Sequence, residues 1–467
     1  MLLKILYKRL LKIFFISLIF SIVFIIILTT KNLNNLYTLF ILNELVGLYL
    51  FILAIILGSK DIFEPIYLIL ILFLFQYYIS AFFLFNMEQE YIPKKIDNQH
   101  STIESLFVVN LALFSFILGY FSKFYKIFYV LLPNNILVYK TKMFKLLNFY
   151  IYMLLFLIIF ILIYVNGGII NLIYNFGIPH DLRYLGYLLI FLRISPYLLF
   201  LSGYRKLSFI AIFIMFAFYL FTQSRSQAIL LLFWYLVFLN YVGYNVKKYI
   251  ILFPILIIIA YFIGFMASNE GRILLQNPSL LFSNLDGLVD WNYLFVMSIG
   301  RLEELSMYLE NVPSKIDYYY GLTLLSGTLG LFRAWFPLDY EDYTFIITSI
   351  ACGYDAKSIG FAMGGSGIAE LYVNFSYIGI ILGFFLYGLI LKSVYFWMKM
   401  HKYNIVYVIF YVFILQTFFD IIRDSFSAIF NLFSLVLVFI IFLHISTFKV
   451  EKRKNNYILK VKKILFY

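Results

Sequence analysis

The residues of this chain that could do chemistry are arginines set in or beside apolar segments. A guanidinium binds phosphate oxygens through two parallel hydrogen bonds and keeps its charge when partly desolvated. Arginine is therefore suited to hold an anionic headgroup where a membrane meets water. Five positions qualify as candidates: Arg183, Arg193, Arg225, Arg301 and Arg333.

Two of these arginines are tied to predicted membrane spans. Arg193 lies in the middle of an apolar segment, where a charge is costly and normally faces a cavity or a partner. Its structural alternative is an ion pair with Glu44, a carboxylate within a predicted span. Arg225 lies in a tight hairpin just before the predicted span 228–243. The N-terminus of that helix and the Arg225 guanidinium would both attract the same anion. Its alternative is contact with lipid phosphate.

The other three arginines lie close to predicted helix ends. Arg183 follows Asp181, which is typical of a helix N-cap, so it is either an anion ligand or a juxtamembrane residue. Arg301 is either a ligand or the partner of a nearby glutamate such as Glu304. Arg333 stands among aromatic residues, where a phosphate ligand and a membrane anchor are equally reasonable.

The glycine-rich run 364–375 is the most specific local signal. Gly365 and Gly367 allow backbone N–H groups to approach a ligand, and the helix that follows carries Glu370 in its first turn. We expect Glu370 at the outer membrane interface, where a partly buried carboxylate could act as a general base on a hydroxyl. The alternative is that Glu370 only caps the helix.

Metal and cofactor chemistry has little support in the sequence. A single cysteine, Cys352, excludes an internal disulfide and a cysteine-based metal site, and the four histidines lack ligand spacing. The acidic runs 339–342 and 88–90 could bind a divalent ion, but solvated acidic turns are more common. The sequence predicts no metal and no cofactor.

The elements that position these residues are membrane helices. The 467 residues are 64% hydrophobic and 13% charged, which excludes a soluble globular protein. The fold class expected is all-α, a polytopic integral membrane protein with about 12 transmembrane helices and one large extracytoplasmic loop. The predicted spans are 10–29, 37–58, 65–85, 105–122, 146–165, 184–202, 207–223, 228–243, 249–267, 377–397, 405–420 and 428–447.

The orientation follows from the positions of the charges. Lys and Arg concentrate in alternate connecting segments, and the acidic residues concentrate in the others. The positive-inside rule then places both termini in the cytoplasm. The formal net charge of +13 is a consequence of membrane topology and does not indicate nucleic-acid binding.

Four regions result from this topology. Membrane helices 1–9 occupy residues 1–267, and helices 10–12 occupy residues 377–447. Between them, residues 268–376 form the large extracytoplasmic loop, in which a helix is predicted from Trp291 to Glu310. A basic cytoplasmic tail covers residues 448–467.

These features together resemble the O-antigen polymerase family, the oligosaccharide repeat-unit polymerases of bacterial surface polysaccharide assembly. The resemblance rests on many spans with one large late outer loop, on the hairpin 223–226, and on the run 365–375. That run leads into a glycine-bearing span, and the resemblance covers about residues 160 to 430. The glycines of that span are Gly379, Gly383 and Gly388.

The resemblance implies transfer of a growing glycan from undecaprenyl pyrophosphate to a hydroxyl of a second lipid-linked unit. The reaction would take place at the outer face of the bacterial cytoplasmic membrane. It would use Glu370 as the base and Arg301 as a catalytic cation, without a metal. Substrate would be bound by Arg225, Arg193, Arg183, Arg333, Arg423, Gly365 and Gly367.

The implied partners are the lipid-linked oligosaccharides and membrane lipids, with a chain-length regulator and a flippase as further partners. Two alternatives stay open. An O-antigen ligase would be expected to use a loop histidine, and the predicted loop 268–376 has none. A flippase or transporter of lipid-linked sugars would not need a loop of that size.

Overall fold

The computed structural model describes residues 13, 15–23, 35–59, 61–86, 98–130, 142–165, 193–221, 225–246, 301–324, 349, 365–423, 448–453 and 456–461. Its elements are α1 (Leu36–Leu57), α2 (Pro65–Phe73), a π-helical turn (Leu74–Tyr78), α3 (Ile79–Asn86), α4 (Asn98–Phe121), α5 (Tyr125–Val130), α6 (Lys142–Val165), α7 (Ser195–Leu201), α8 (Arg205–Phe221), α9 (Arg225–Tyr241), α10 (Leu302–Asn311), α11 (Gly367–Met400) and α12 (Ile405–Arg423). Strands β1 (Phe448–Arg453) and β2 (Asn456–Val461) form an antiparallel hairpin.

Six helical segments of the described chain are long and apolar enough to cross a membrane. They are Leu36–Leu57, Pro65–Asn86, Gln99–Phe121, Asn148–Val165, Gly367–Met400 and Ile405–Arg423. Each overlaps a predicted span, which confirms a helical multi-pass membrane protein. Three further predicted spans overlap the shorter helices α7, α8 and α9. Of the span 10–29, the structure describes only residues 13 and 15–23, which are helical. The spans 249–267 and 428–447 lie outside the described residues, so the count of twelve and the large loop stay predictions.

The chain divides into two compact units, and each is considered by itself. Unit 1 comprises Met1–Leu131, Val289–Phe396 and Leu415–Phe430. Unit 2 comprises Leu132–Leu288, Trp397–Ile414 and Asn431–Tyr467.

Unit 1 is organised around α4, against which α1 and α10 both pack. Two glycines bring α4 and α11 together backbone to backbone. A Cβ added at Gly119 would lie 2.0 Å from the carbonyl oxygen of Phe385, and one at Gly388 would lie 2.3 Å from that of Phe116. Small residues allow membrane helices to approach this closely.

Unit 2 packs its helices around the buried ring of Tyr197 at the start of α7. The ring centroids of Phe238 on α9 and Phe413 on α12 lie 5.1 and 5.2 Å away, both edge to face. Ser208 of α8 donates to or accepts from Tyr235 of α9 at 2.6 Å. Aromatic contacts and one hydroxyl pair therefore join α7, α8, α9 and α12 within this unit.

Helix α11 is broken near its N-terminus. Phe375 (φ −140°, ψ 15°) and Ser376 (φ 58°, ψ −153°) leave the helical region and divide it into a half-helix (367–374) and a long arm (377–400). A Cβ added at Gly383 would lie 2.5 Å from Leu371 Cδ1. In a continuous helix, Leu371 and Gly383 would be about 18 Å apart along the axis. The half-helix therefore folds back along the long arm.

A buried ion pair ties the segment between α1 and α2 to the long arm. Lys392 Nζ lies 2.9 Å from Glu64 Oε1, and Tyr120 donates its hydroxyl to the same oxygen at 2.9 Å. The Ser59 N–H donates to Glu64 Oε2 at 2.8 Å. Burial alone would raise the pKa of the Glu64 carboxyl, but the Lys392 ammonium and the hydrogen bonds from Ser59 and Lys392 outweigh it and lower the pKa.

We expect this ion pair to make the protein sensitive to acid. Since the folded-state pKa of Glu64 is lowered, its stabilising contribution is complete above the ordinary carboxyl pKa and is lost as the pH falls through the lowered value. Glu64→Gln removes one partner of a buried pair, which costs about 3–5 kcal/mol. Melting temperatures in detergent should therefore differ most at neutral pH and converge in acid. The exposed Glu310→Gln serves as control, and equal stability of Glu64→Gln and wild type at neutral pH would contradict the assignment.

Candidate functional site

The half-helix carries a fully buried carboxylate. Ser366 caps its N-terminus, since Ser366 Oγ accepts the N–H of Ala369 at 3.2 Å. Glu370 is 1% exposed, and its Oε1 accepts the hydroxyl of Thr323 at 3.1 Å. The capping role that was the alternative for Glu370 thus belongs to Ser366, and the Glu370 side chain contacts another segment of the chain.

The break in α11 places Glu370 beside the long arm, and its expected position at the outer membrane interface stays a prediction. The fold-back sets Glu370 close enough to Tyr387, in the middle of the long arm, for the two side chains to interact electrostatically. Tyr387 is itself buried, and its ring lies 4.9 Å from that of Phe418. Protein surrounds the half-helix, since residues 368–374 are all buried.

Asn374 fixes the end of the half-helix against residues 318–323. Its Oδ1 accepts the N–H of Gly321 at 2.7 Å, and its Nδ2 donates to the carbonyl oxygen of Glu370 at 2.7 Å and to Thr323 Oγ1. Gly321 has φ 93°, a conformation that glycine adopts without strain. Glu370, Thr323 and Asn374 therefore form one hydrogen-bonded network.

Arg423 ends α12 beside the half-helix. A Cβ added at Gly367 would lie 2.7 Å from the carbonyl oxygen of Ile421, two residues before Arg423. Arg423 is 9% exposed, and its guanidinium lies 4.0 Å from Asp420 Oδ1. Tyr77 donates its hydroxyl to the carbonyl oxygen of Ile422 at 3.1 Å, which joins α12 to the π-helical turn.

Arg301 reaches the same π-helical turn from α10. Its N–H donates to the carbonyl oxygen of Gln76 at 2.9 Å, and its guanidinium pairs with Glu304 at 2.6 Å. The Glu304 pairing was one of the two interpretations from the sequence. Gln76 and Tyr77 are consecutive, so the backbone of Arg301 and the end of α12 are held at the same point of one span.

Carboxylates outnumber arginines in this part of unit 1. On α10, the half-helix and the end of α12, the buried or half-buried charged groups sum to a formal charge of −2: Arg301, Arg423, Glu303, Glu304, Glu370 and Asp420. Buried charges are stable only when they are paired and hydrogen-bonded. A diphosphate bound here would therefore need cations beyond the two described arginines.

The remaining candidate residues are placed only in part. Arg193 belongs to unit 2 and occupies a turn before α7, where its Nε–H donates to the Tyr219 hydroxyl at 2.8 Å and its guanidinium lies 4.9 Å from that ring centroid. Arg225 begins α9, and its side chain lies outside the described residues. Arg183 and Arg333 lie outside them entirely.

Sequence reasoning did not single out several polar residues of this cluster. Gln76 interrupts an apolar span, which is itself a signal of function. Three others are identified only by contacts between residues distant in sequence: Thr323, Asn374 and Tyr387. Asp420 pairs with Arg423, three residues further along α12.

No three His, Cys, Asp or Glu side chains are grouped to hold a metal ion in the part of the chain that the structure describes. The acidic runs 339–342 and 88–90 lie outside that part. A reaction without a metal therefore stays a prediction.

Comparison with known proteins gives one match. The family model of O-antigen polysaccharide polymerase Wzy matches residues 11–454, nearly the whole chain. No curated protein and no solved structure matches this chain significantly. The matched range includes all six charged residues of the cluster in unit 1.

Proposed function

This chain belongs to the O-antigen polysaccharide polymerase family, and from that premise we propose that it joins lipid-linked oligosaccharide repeat units into a polysaccharide. The growing glycan passes from undecaprenyl pyrophosphate to a hydroxyl of a second lipid-linked unit. The reaction takes place at the outer face of the cytoplasmic membrane, with both termini in the cytoplasm. A chain-length regulator and a flippase act with it.

The observation that carries this proposal is the buried Glu370 network on the folded-back half-helix. The acceptor hydroxyl oxygen attacks the anomeric carbon of the donor sugar, and its proton passes to the Glu370 carboxylate. The bond between the anomeric carbon and the diphosphate oxygen breaks, and the diphosphate leaves with the electron pair. Thr323 and Asn374 position the carboxylate for this proton transfer.

The arginines stabilise the charge that develops on the leaving diphosphate. Arg301 and Arg423 contribute from unit 1, and backbone N–H groups near Gly365 and Gly367 add donors at the start of the half-helix. Four carboxylates lie among the same residues, so these two arginines are too few for a diphosphate. Arg183, Arg193, Arg225 and Arg333 stay proposed as ligands of the substrate.

A surface-polysaccharide gel tests the function. We expect a strain without this gene to show a band for one repeat unit in place of the polymer ladder, and complementation to restore the ladder. Loss of the one-unit band with accumulation of lipid-linked units would assign the protein to export or ligation. An unchanged ladder would reject the proposal.

We expect polymerisation to proceed without a divalent cation, because arginines supply the positive charge. Purified protein with lipid-linked repeat units should keep its turnover in EDTA. Loss of turnover in EDTA with recovery on adding Mg²⁺ would refute the metal-free mechanism and direct attention to the acidic runs 339–342 and 88–90.

A further inference from the structure

Gln76 is a buried amide in the π-helical turn of the span that joins α2 to α3. It is 5% exposed, and its Oε1 has no hydrogen-bond partner among the described residues. A buried polar group without a partner lowers stability. Single π-helical turns within α-helices occur frequently at functional sites. A ligand that donates a hydrogen bond to Gln76 Oε1 would remove this cost.

Ser80, one turn further along the span, has the same property. It is 0% exposed, and its Oγ has no hydrogen-bond partner among the described residues. The carbonyl four residues before it is that of Gln76, which accepts the N–H of Arg301 at 2.9 Å. Other helical serines of this chain donate to the carbonyl four residues earlier: Ser202 to Leu198, Ser306 to Leu302 and Ser393 to Leu389.

These two polar groups adjoin the proposed diphosphate site. The backbone of Gln76 contacts Arg301, and the next residue, Tyr77, is bonded to Ile422 beside Arg423. A donor whose diphosphate contacted these arginines would carry its first sugar within the same cluster. Sugar hydroxyls both donate and accept hydrogen bonds, as do an amide and a serine hydroxyl.

We infer that Gln76 and Ser80 bind hydroxyl groups of the sugar next to the diphosphate and thereby select the repeat unit. The inference rests on the proposed function. A site built to hydrogen-bond a substrate hydroxyl discriminates strongly against analogues that lack it, because its own polar groups would stay unpaired. Gln76 and Ser80 thus set specificity, while Glu370 accepts the proton.

Gln76→Met separates a binding role from a structural one. Methionine has a similar length but cannot hydrogen-bond, so removing an unpaired buried amide should leave the melting temperature equal or higher. The same change should weaken binding of the lipid-free repeat-unit oligosaccharide, prepared from the strain's own polysaccharide, by about tenfold or more. Phe75→Leu, at a 41% exposed position of the same turn, should change neither quantity.

Unchanged oligosaccharide binding by Gln76→Met would overturn the inference. If that variant loses both binding and stability, Ser80→Ala decides, since it removes only a hydroxyl: weaker binding supports the inference and retained binding overturns it. Glu370→Gln should still bind the oligosaccharide while failing to polymerise. An unchanged polymer ladder in the strain without this gene, together with no binding by wild type, would reject the proposed function as well.

Discussion

Replacing Glu370 by glutamine is expected to lower the rate of polymerisation by at least about 100-fold, because a positioned general base contributes about 10²- to 10⁴-fold. Glutamine keeps the size of the side chain and an oxygen that can accept the Thr323 hydroxyl, but it cannot take the proton from the acceptor. Turnover of lipid-linked units by purified protein and the ladder of the complemented strain measure the effect.

The matched control for this variant is Glu310→Gln, at an exposed position of α10. It should leave both turnover and ladder unchanged. Wild-type turnover by Glu370→Gln at normal protein level would remove Glu370 as the base. The carboxylate would then be a structural part of its network with Thr323 and Asn374.

Replacing Arg423 by alanine is expected to have the second largest effect, a loss of about 10²- to 10³-fold in kcat. That is the usual result of removing one group that stabilises transition-state charge. Arg423 is buried at the end of α12, beside the half-helix that carries Glu370. Arg423→Lys keeps the charge but loses the planar fork, so it should recover only part of the rate.

Stability has to be separated from catalysis in this case, because Arg423→Ala leaves Asp420 without its ion-pair partner. The double variant Arg423→Ala, Asp420→Ala removes both charges and should recover stability but no activity. The exposed Arg205→Ala is the control for loss of an arginine. A full ladder from Arg423→Ala at wild-type protein level would exclude Arg423 from the site.

Local patterns of the sequence predict the helices well. Leu302, Leu305 and Leu309 define one face of the predicted loop helix, and all three are buried in α10. The helix ends at Asn311, just before Pro313 as expected. Hydrophobic periodicity and proline act within a few residues, so no knowledge of the tertiary structure is needed to interpret them.

The break in α11 could not be predicted in the same way. Ser376 adopts a positive φ, which no local pattern requires of a serine. The segment before α11 contacts the chain around the break, since Tyr318 donates to Ser376 Oγ at 3.2 Å and the Tyr319 N–H donates to the Val373 carbonyl oxygen at 2.9 Å. The fold-back of the half-helix onto the long arm therefore depends on contacts distant in sequence, which no local pattern indicates.

Partners of isolated charges were equally hard to predict. From the sequence, Glu44 was the structural alternative for Arg193, because a carboxylate is the usual partner of a guanidinium within a membrane. The described contact of Arg193 is the Tyr219 hydroxyl and ring. With 42 tyrosines in the chain, no pattern distinguishes the one that meets an arginine.

The close approach at Gly119 and Gly388 has a consequence for turnover. A polymerase has to release and re-bind a lengthening product, so some contact near the substrate must be broken and remade in each cycle. At these two glycines no layer of side chains separates α4 from the long arm, because backbone meets backbone there. Residue Ser306 of α10 meets Ser105 of α4 through hydroxyls 2.8 Å apart, which can exchange partners. We therefore expect the advance of the product to displace α10 and the residues after it, while α4 and the long arm keep their spacing.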